Sequence, residues 1–266
     1  MKKCPASFAL VLTLGVASIA AASSGDQDPA TGPVPSSNQP GGTPDFLFGR
    51  PRGSVGLRGS WVFARAGSDV FDFVERNLTV DRKDFNVPAF AMDVGIRLTP
   101  RFDAVVGVDV SQASIASEYR HLVDNNRQPI TQDTRLREVN LAGGIRVAVT
   151  PRGRDISRFA WIPSRVVPYV GAGGGAFWYQ FTQSGDFVDA LAPPPQPVFS
   201  DVFDSKGWTP SAHAFGGVDI KLSRIWFMTV EGRYLWAAAK LGRDFQGFDP
   251  IDLAGFRVSA GVNVLF

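Results

Sequence analysis

The chain has 266 residues, of which 27 are basic, 25 are acidic and 44% are hydrophobic. This near balance of charge excludes a strongly basic binding surface over the whole chain, so no nucleic-acid partner is expected. The only cysteine is Cys4, and the two histidines and scattered carboxylates have no metal-binding spacing; we therefore predict no disulfide, no metal site and no cofactor.

The N-terminal residues have the pattern of an export signal. Lys2 and Lys3 give a positive start, and an apolar run ending in three alanines predicts a signal peptide over residues 1–22. That run has about 15 residues, shorter than the ~20 that a membrane-spanning helix needs. Residues 23–48 are rich in Pro, Gly and Ser, which predicts a flexible periplasmic leader, and residues 49–266 are expected to form the folded domain.

Eight segments of alternating polarity follow the leader. They are Gly53–Arg65, Val87–Thr99, Phe102–Ser117, Thr134–Val149, Val167–Gln183, Ser211–Leu222, Trp226–Trp236 and Phe256–Phe266. Successive side chains of a strand point to opposite faces, so each segment predicts a strand with one oily and one mostly polar face. Most reach the roughly 9–11 residues that a tilted strand needs to cross a bilayer.

The connectors alternate between short turns and long loops, as in outer-membrane barrels. The long loops contain Phe71, Phe73, Phe187, a proline run at 193–195 and the segment Phe245–Asp252, and we expect them to be available for an extracellular ligand. One connector, Thr150–Arg165, is long on the side of the short turns. An interfacial turn carrying Phe159 and Trp161 would fit there.

Alternation alone also permits a soluble barrel with its apolar face inside. Three features favour the inverted arrangement. The polar face mixes charged with small residues, as a narrow interior requires, and the apolar face has no mid-strand charge, which would cost about 2–4 kcal/mol in lipid. Aromatic residues near strand ends would form belts at the lipid head groups. These aromatic residues are Trp61, Phe63, Tyr169, Tyr179, Phe181, Trp226, Tyr234, Trp236 and Phe266.

The inverted arrangement predicts a polar lumen filled by side chains. The inner-face residues are Arg58, Asp93, Arg97, Asp109, Glu138, Arg146, Asp219, Lys221, Glu231, Arg233 and Arg257. Buried charges are costly unless paired, so mutual ion pairs are expected, and eight strands leave an interior just filled by side chains. A gated narrow conduit that includes Glu231 and Arg233 is the alternative.

Two motifs bear on whether the chain binds phosphate or has a catalytic nucleophile. The glycine-rich stretch 171–175 is followed by a strand and not by a helix, so it does not fit a phosphate-binding loop. Ser211 and His213 share a face but lie some 6–7 Å apart along a strand, too far for nucleophile activation by direct contact. We therefore predict no catalytic residues.

The last strand supports a family resemblance. Val258, Val262, Val264 and the terminal Phe266 match the final strand of bacterial outer-membrane barrels, which is read by the barrel-assembly machinery. From about Gly53 onward, the chain resembles the small eight-stranded barrels typified by outer-membrane proteins A, X and W. The resemblance implies an all-β, membrane-spanning, antiparallel up-and-down barrel, exported by the Sec route and embedded in outer-membrane lipid of a Gram-negative cell.

Three functions are open at this point. The leading hypothesis is a non-enzymatic outer-membrane barrel with a structural or surface-interaction role. The first alternative, implied by the resemblance, is a narrow passive channel for small hydrophobic molecules. The second is a lipid A-modifying enzyme, because some eight-stranded outer-membrane barrels carry His and Ser near the external surface.

Overall fold

The computed structural model describes residues 46–124, 127–189, 193 and 197–266. The predicted signal peptide and residues 23–45 of the predicted leader lie outside the described residues. In chain order the elements are β1 Leu47–Phe48, β2 Gly53–Ala64, α1 Asp69–Asn77, β3 Pro88–Arg97, β4 Phe102–Val123, β5 Pro129–Ala148, β6 Gly153–Ser157, β7 Ala160–Pro163, β8 Val166–Val188, β9 Val198–Lys221, β10 Trp226–Ala239, β11 Ile251–Asp252 and β12 Gly255–Leu265, with 3₁₀ helices at Arg82–Phe85 and Arg243–Phe245.

Eight of the strands close into one antiparallel barrel. Its order is β2-β3-β4-β5-β8-β9-β10-β12, and β12 pairs back onto β2 in a register that sets Val262 opposite Leu57. Closure leaves the terminal strand without a free edge, which removes an aggregation hazard. The predicted eight-stranded, up-and-down fold class is confirmed.

Two hairpins extend well beyond the predicted strand ends. The β4–β5 pairing continues past Glu118 to Val123, and β8 pairs with β9 as far as Val188 and Val198. The sixth strand therefore begins at Val198 and not at Ser211. In these extensions the strands remain hydrogen-bonded through their backbones, but apolar and polar residues no longer alternate as they do in a lipid-facing segment. The polarity pattern therefore predicts strand ends that lie too close to the membrane.

The two faces of the barrel have opposite chemistry. Outside, Leu57, Phe90 and Val106 are 59%, 70% and 66% exposed, whereas Arg58 and Asp93 on the inner face are buried. Exposed apolar surface is unfavourable in water by about 25 cal/mol per Å², which makes this a lipid-facing exterior. Among the described residues, no helix has the length and apolarity to cross a bilayer.

The predicted aromatic belt is only partly present. Trp61, Phe63, Trp226, Trp236 and Phe266 are exposed on the outside. The prediction is wrong for three residues of β8, since Tyr169, Tyr179 and Phe181 are buried inside the barrel. Both faces of β8 are largely uncharged, so polarity did not reveal which one points inward. The two tyrosine hydroxyls find hydrogen-bond partners there, as buried tyrosines usually do.

The end of the barrel opposite the β3–β4 turn, called here the mouth, is closed by α1, a helix that the sequence analysis does not predict. Val70, Phe71 and Val74 lie on one face of this helix and are buried against inward residues of the barrel, among them Phe177 and Phe181. The rings of Phe71 and Phe181 pack edge to face, with centroids 6.0 Å apart. An amphipathic helix folded into the mouth therefore forms an apolar plug, called here the mouth plug. Phe71, expected in a ligand-accessible loop, points into the barrel instead.

The long connector on the opposite side folds into a second closure. β6 and β7 form a hairpin, and β7 also pairs with β1, giving a three-stranded sheet called here the base sheet. Trp161 is 4% exposed and lies under the Arg97 guanidinium, 5.7 Å from its ring centroid, whereas Phe159 is exposed. An interfacial position thus suits Phe159 but is wrong for Trp161. The last two residues of the predicted leader, Leu47 and Phe48, are β1.

Candidate functional site: the charged lumen

Alternation along the strands brings charged residues from seven of the eight barrel strands, all but β8, to one interior. Glu231 on β10 lies at its centre and is 3% exposed. Its carboxylate accepts hydrogen bonds from Arg233 Nε and Nη2 at 3.1 and 2.9 Å, and from the Tyr169 hydroxyl at 2.9 Å. Arg58 Nη1 lies 3.0 Å from the same carboxylate, and Arg58 Nη2 lies 3.0 Å from Asp93. Charge-assisted contacts of this kind are stronger than neutral ones.

A second chain of contacts extends from Arg233 across the lumen. Its Nη1 lies 3.3 Å from Asp109 on β4, and the other Asp109 oxygen lies 3.6 Å from Arg257 on β12. Arg257 also donates to Glu138 on β5 at 3.2 Å, and Glu138 accepts from the Ser111 hydroxyl at 2.8 Å. The contacts therefore tie together strands that are not neighbours in the sheet.

A separate cluster lies at the base, next to the base sheet. Arg146 donates through Nε and Nη2 to Asp103 at 3.1 and 2.9 Å, and Arg152 Nη2 lies 2.7 Å from the same oxygen. Arg146 also lies 3.6 Å from Asp219, which accepts from the Thr229 hydroxyl at 2.6 Å. Arg152 comes from the connector and lies outside the membrane-spanning strands. Burial lowers the pKa of its guanidinium, an effect that Asp103 opposes.

The two clusters together are electrically balanced. Six arginines, Arg58, Arg97, Arg146, Arg152, Arg233 and Arg257, face six carboxylates, Asp93, Asp103, Asp109, Glu138, Asp219 and Glu231. None of the twelve side chains is more than 14% exposed. Removing one charge would leave its partner buried and unneutralised, which is the costly case.

The structure places the sequence-predicted lumen residues on the inner face. Ten of them lie in these contacts, and Lys221 is half-buried at the base end of β9. Sequence reasoning missed Asp103, Arg152 and Tyr169. Asp103 shares the inward parity of Asp109 and could have been found. Arg152 lies in a connector without periodicity, so no pattern pointed to it.

The lumen contains little free space. One cavity of about 20 Å³ lies among Arg58, Asp93 and Glu231, and a second of about 20 Å³ lies near Arg146 and Asn263. Each has room for roughly one water, since a water needs about 10–15 Å³ of such volume. Above them, the mouth plug covers that end of the lumen with apolar side chains.

Two further predicted features can be located. The Ser211 hydroxyl lies 3.0 Å from Asn140 Oδ1, to which it donates, and His213 is buried with its ring stacked on Phe215. Phe215 in turn lies against Gly171, where a side chain would collide with the ring. The glycine-rich stretch thus gives bulky lumen residues room.

The predicted assembly-signal residues lie on β12 and at the chain end. Val258, Val262 and Phe266 are exposed on the lipid-facing side, and Val264 is half-buried. The Phe266 carbonyl accepts from the backbone N–H of Arg52 at 2.7 Å. The aromatic end of the chain is therefore held at the barrel seam.

The known proteins that this chain matches are solved structures of low sequence identity. No family model and no curated protein matches the chain. Among solved structures, Neisserial surface protein A matches at 12% identity and TM-score 0.41, over 80% of this chain and 97% of that one. The attachment invasion locus protein Ail of Yersinia pestis matches at 12% and 0.38, over 80% and 96%, and outer membrane protein W of E. coli at 16% and 0.32, over 81% and 98%.

A closed ring of eight antiparallel strands, apolar outside and charged inside, decides the fold. The chain is an outer-membrane-type β-barrel. Such a barrel satisfies all of its backbone groups between strands, which is what a structure exposed to lipid requires. The crossing is made by the barrel strands, with the mouth plug at one end and the base sheet at the other.

Proposed function

We propose that this outer-membrane barrel does not conduct and acts structurally or through its extracellular hairpins. The observation that carries the proposal is the packed lumen: among the residues that the structure describes, balanced ion pairs surround Glu231, and the cavities beside Glu231 and beside Asn263 measure about 20 Å³ each. Passage of an ion requires a continuous polar path, and here the apolar mouth plug lies above the charged clusters. A hydrophobic solute entering the lumen would have to displace α1 and then separate buried ion pairs.

Conductance in planar bilayers tests the closed lumen. We expect no single-channel steps from the wild-type protein. Steps in the wild type that disappear or change size when Glu231 or Arg233 is replaced by alanine would contradict the proposal and favour the narrow conduit. Uptake of a small hydrophobic dye into liposomes, compared with protein-free liposomes, tests the passive-channel alternative in the same way.

The surface role is supported by the two long hairpins. The β4–β5 and β8–β9 extensions project beyond the lipid-facing belt and carry exposed apolar side chains, including Val123 and Val202. Exposed apolar residues at the end of a rigid hairpin are typical of surfaces that contact a partner. Adhesion of cells expressing the full chain, compared with cells expressing a chain with both hairpins shortened, tests this role. Equal adhesion would leave only the structural role.

We also propose that the barrel is not an enzyme and that Phe266 is part of its assembly signal. Support for the first comes from Ser211, whose hydroxyl is engaged by Asn140, and from His213, which is enclosed by the barrel. The mass of lipid A from expressing cells should be unchanged, and equally so with His213→Ala. Replacing Phe266 by alanine should lower the amount of assembled barrel in cells, whereas refolding of the purified chain in detergent should be little affected.

A further inference from the structure

The two ends of the barrel carry different charge. At the base, segments 49–53, 97–103, 146–165 and 219–226 contain eleven basic and three acidic residues. At the mouth, segments 65–87, 114–137, 180–209 and 238–254 contain eleven basic and fifteen acidic residues. The chain as a whole is nearly balanced, so this separation is a property of the fold. It places a strong excess of positive charge at the level where the base of the barrel leaves the lipid.

Part of this charge surrounds a cavity. Arg50, Arg97, Arg101 and Arg152 line a space of about 220 Å³ against Trp161, with Asp155 as the one acidic lining residue. Asp155 is already engaged, because Arg50 Nε donates to it at 3.0 Å. The cavity is much larger than the about 10–15 Å³ that a single water requires.

Several donors of these arginines lack a partner. Arg97 Nε lies 4.0 Å from Asp103, beyond hydrogen-bond distance, and has no other acceptor. Arg152 is only 9% exposed, and its Nε has no acceptor either. Within the described residues, no carboxylate contacts the Arg101 side chain. At this base cluster three arginines, Arg97, Arg146 and Arg152, meet only the two carboxylates Asp103 and Asp219. An anion in the cavity would lie beside these arginines and offset the excess charge.

The cavity borders the lipid-facing surface. Arg101 lies in the β3–β4 turn, directly before Phe102, and Leu98 precedes the turn. Phe102 and Leu98 are both exposed on the outside of the barrel. Arg101 is therefore at the level of lipid head groups, with acyl-chain contacts one residue away. Arginine binds phosphate through paired, planar N–H donors, which suits it to this position.

We propose that this arginine-lined cavity binds the phosphate of an anionic phospholipid head group in the periplasmic leaflet. The proposal rests on the proposed function, because it takes the base of the barrel to face the periplasm. Arg101 and Arg152 supply the principal donors, and Arg97 contributes from the end of β3. Bound lipid would tie the base sheet to the membrane and favour one orientation of the barrel.

Native mass spectrometry of the purified barrel in neutral detergent tests this directly. The lipid probes are dioleoyl-phosphatidylglycerol, which is anionic, and dioleoyl-phosphatidylcholine, which is zwitterionic; inorganic phosphate is the third probe. We expect phosphatidylglycerol to bind more tightly than phosphatidylcholine. The variant Arg101→Gln/Arg152→Gln should lose about 25-fold in affinity for phosphatidylglycerol, at about fivefold for each arginine near an anionic head group. The control Arg76→Gln/Arg243→Gln removes the same charge from the mouth and should change that affinity less than twofold.

Loss of Arg152 also removes an ion pair with Asp103, so Arg101→Gln alone is the second variant. It should fold normally and lose about fivefold in affinity. Equal affinity of the wild type for both lipids, or unchanged phosphatidylglycerol binding by Arg101→Gln, would overturn the proposal. Inorganic phosphate binding as tightly as phosphatidylglycerol would assign a free anion and overturn the lipid assignment. Failure of the proposed function would look different: the wild-type protein would give single-channel steps in planar bilayers, whatever its affinity for phosphatidylglycerol.

Discussion

Replacing Glu231 by glutamine is the most informative single change in the lumen. The substitution preserves the shape of the side chain but removes the negative charge at the centre of the network. Arg58, Arg233 and the Tyr169 hydroxyl all contact this carboxylate at 2.9–3.1 Å. After the change, two buried guanidinium groups lose a shared counter-charge. The donors at one of the two oxygen positions, either Arg233 Nε and Nη2 or the Tyr169 hydroxyl and Arg58 Nη1, then face an amide nitrogen instead of an oxygen.

The expected loss of unfolding free energy depends on which carboxylates Arg58 and Arg233 still contact after the substitution. Breaking a buried ion pair by removing one partner costs about 3–5 kcal/mol. Arg58 still has Asp93 at 3.0 Å and Arg233 still has Asp109 at 3.3 Å, so we expect the low end of that range, about 3 kcal/mol. The double variant Glu231→Gln/Arg233→Gln removes both charges, and its cost should fall below the sum of the single costs by about 1–3 kcal/mol.

The measurement is the free energy of unfolding in guanidinium chloride from lipid vesicles, followed by tryptophan fluorescence. Glu118→Gln on the exposed part of β4 is the matched control and should change stability by about 0.5 kcal/mol or less. If Glu231→Gln costs no more than this control, or if the double variant costs the full sum, the carboxylate does not hold the lumen network together and the reasoning fails.

Three other substitutions test the base sheet, the mouth plug and the lipid-facing surface, the first two each with a control at an exposed residue. Trp161→Ala should cost about 3–5 kcal/mol in unfolding free energy and expose the connector to protease, whereas Phe159→Ala should have almost no effect. Phe71→Ala should likewise cost about 3–5 kcal/mol, clearly more than Phe73→Ala on the exposed side of α1, and should speed proteolysis of residues 65–87. Leu57→Arg on the lipid-facing side should lower stability in vesicles by about 2–4 kcal/mol, and no change there would refute the assigned orientation.

How far the sequence predicts this molecule depends on how regular each region is. Side chains of a strand point alternately to its two faces, and this alternation, called here strand parity, places Asp93, Glu231 and Arg257 inside the barrel without any knowledge of which strands pair. Parity fails for β8, where both faces are uncharged and the buried Tyr169 looked like a belt residue. It also gives no information about Arg152, which reaches the base cluster from an irregular connector.

The mouth plug shows a different limit. Val70, Phe71 and Val74 have helical spacing, but the segment is short and lies in a region expected to be a loop. An isolated helix of 9 residues is marginal in water, so its stability comes from packing into the mouth and not from its own sequence. That packing depends on Phe177 and Phe181 of a strand about a hundred residues away, which no local pattern contains.

The charged lumen has a consequence for how the barrel finds its register. Lipid contacts the exterior without distinguishing one valine from another, so sliding a strand by two residues would keep every apolar side chain outside. Such a slip would break the interior contacts, because it would displace Glu231 by about 7 Å along the strand relative to Arg58. We infer that the ion pairs specify the register that the exterior leaves open. On this account, Glu231→Gln should give more than one compact species on an unheated gel as well as lower stability; a single species of normal mobility would show that turns and the seam suffice.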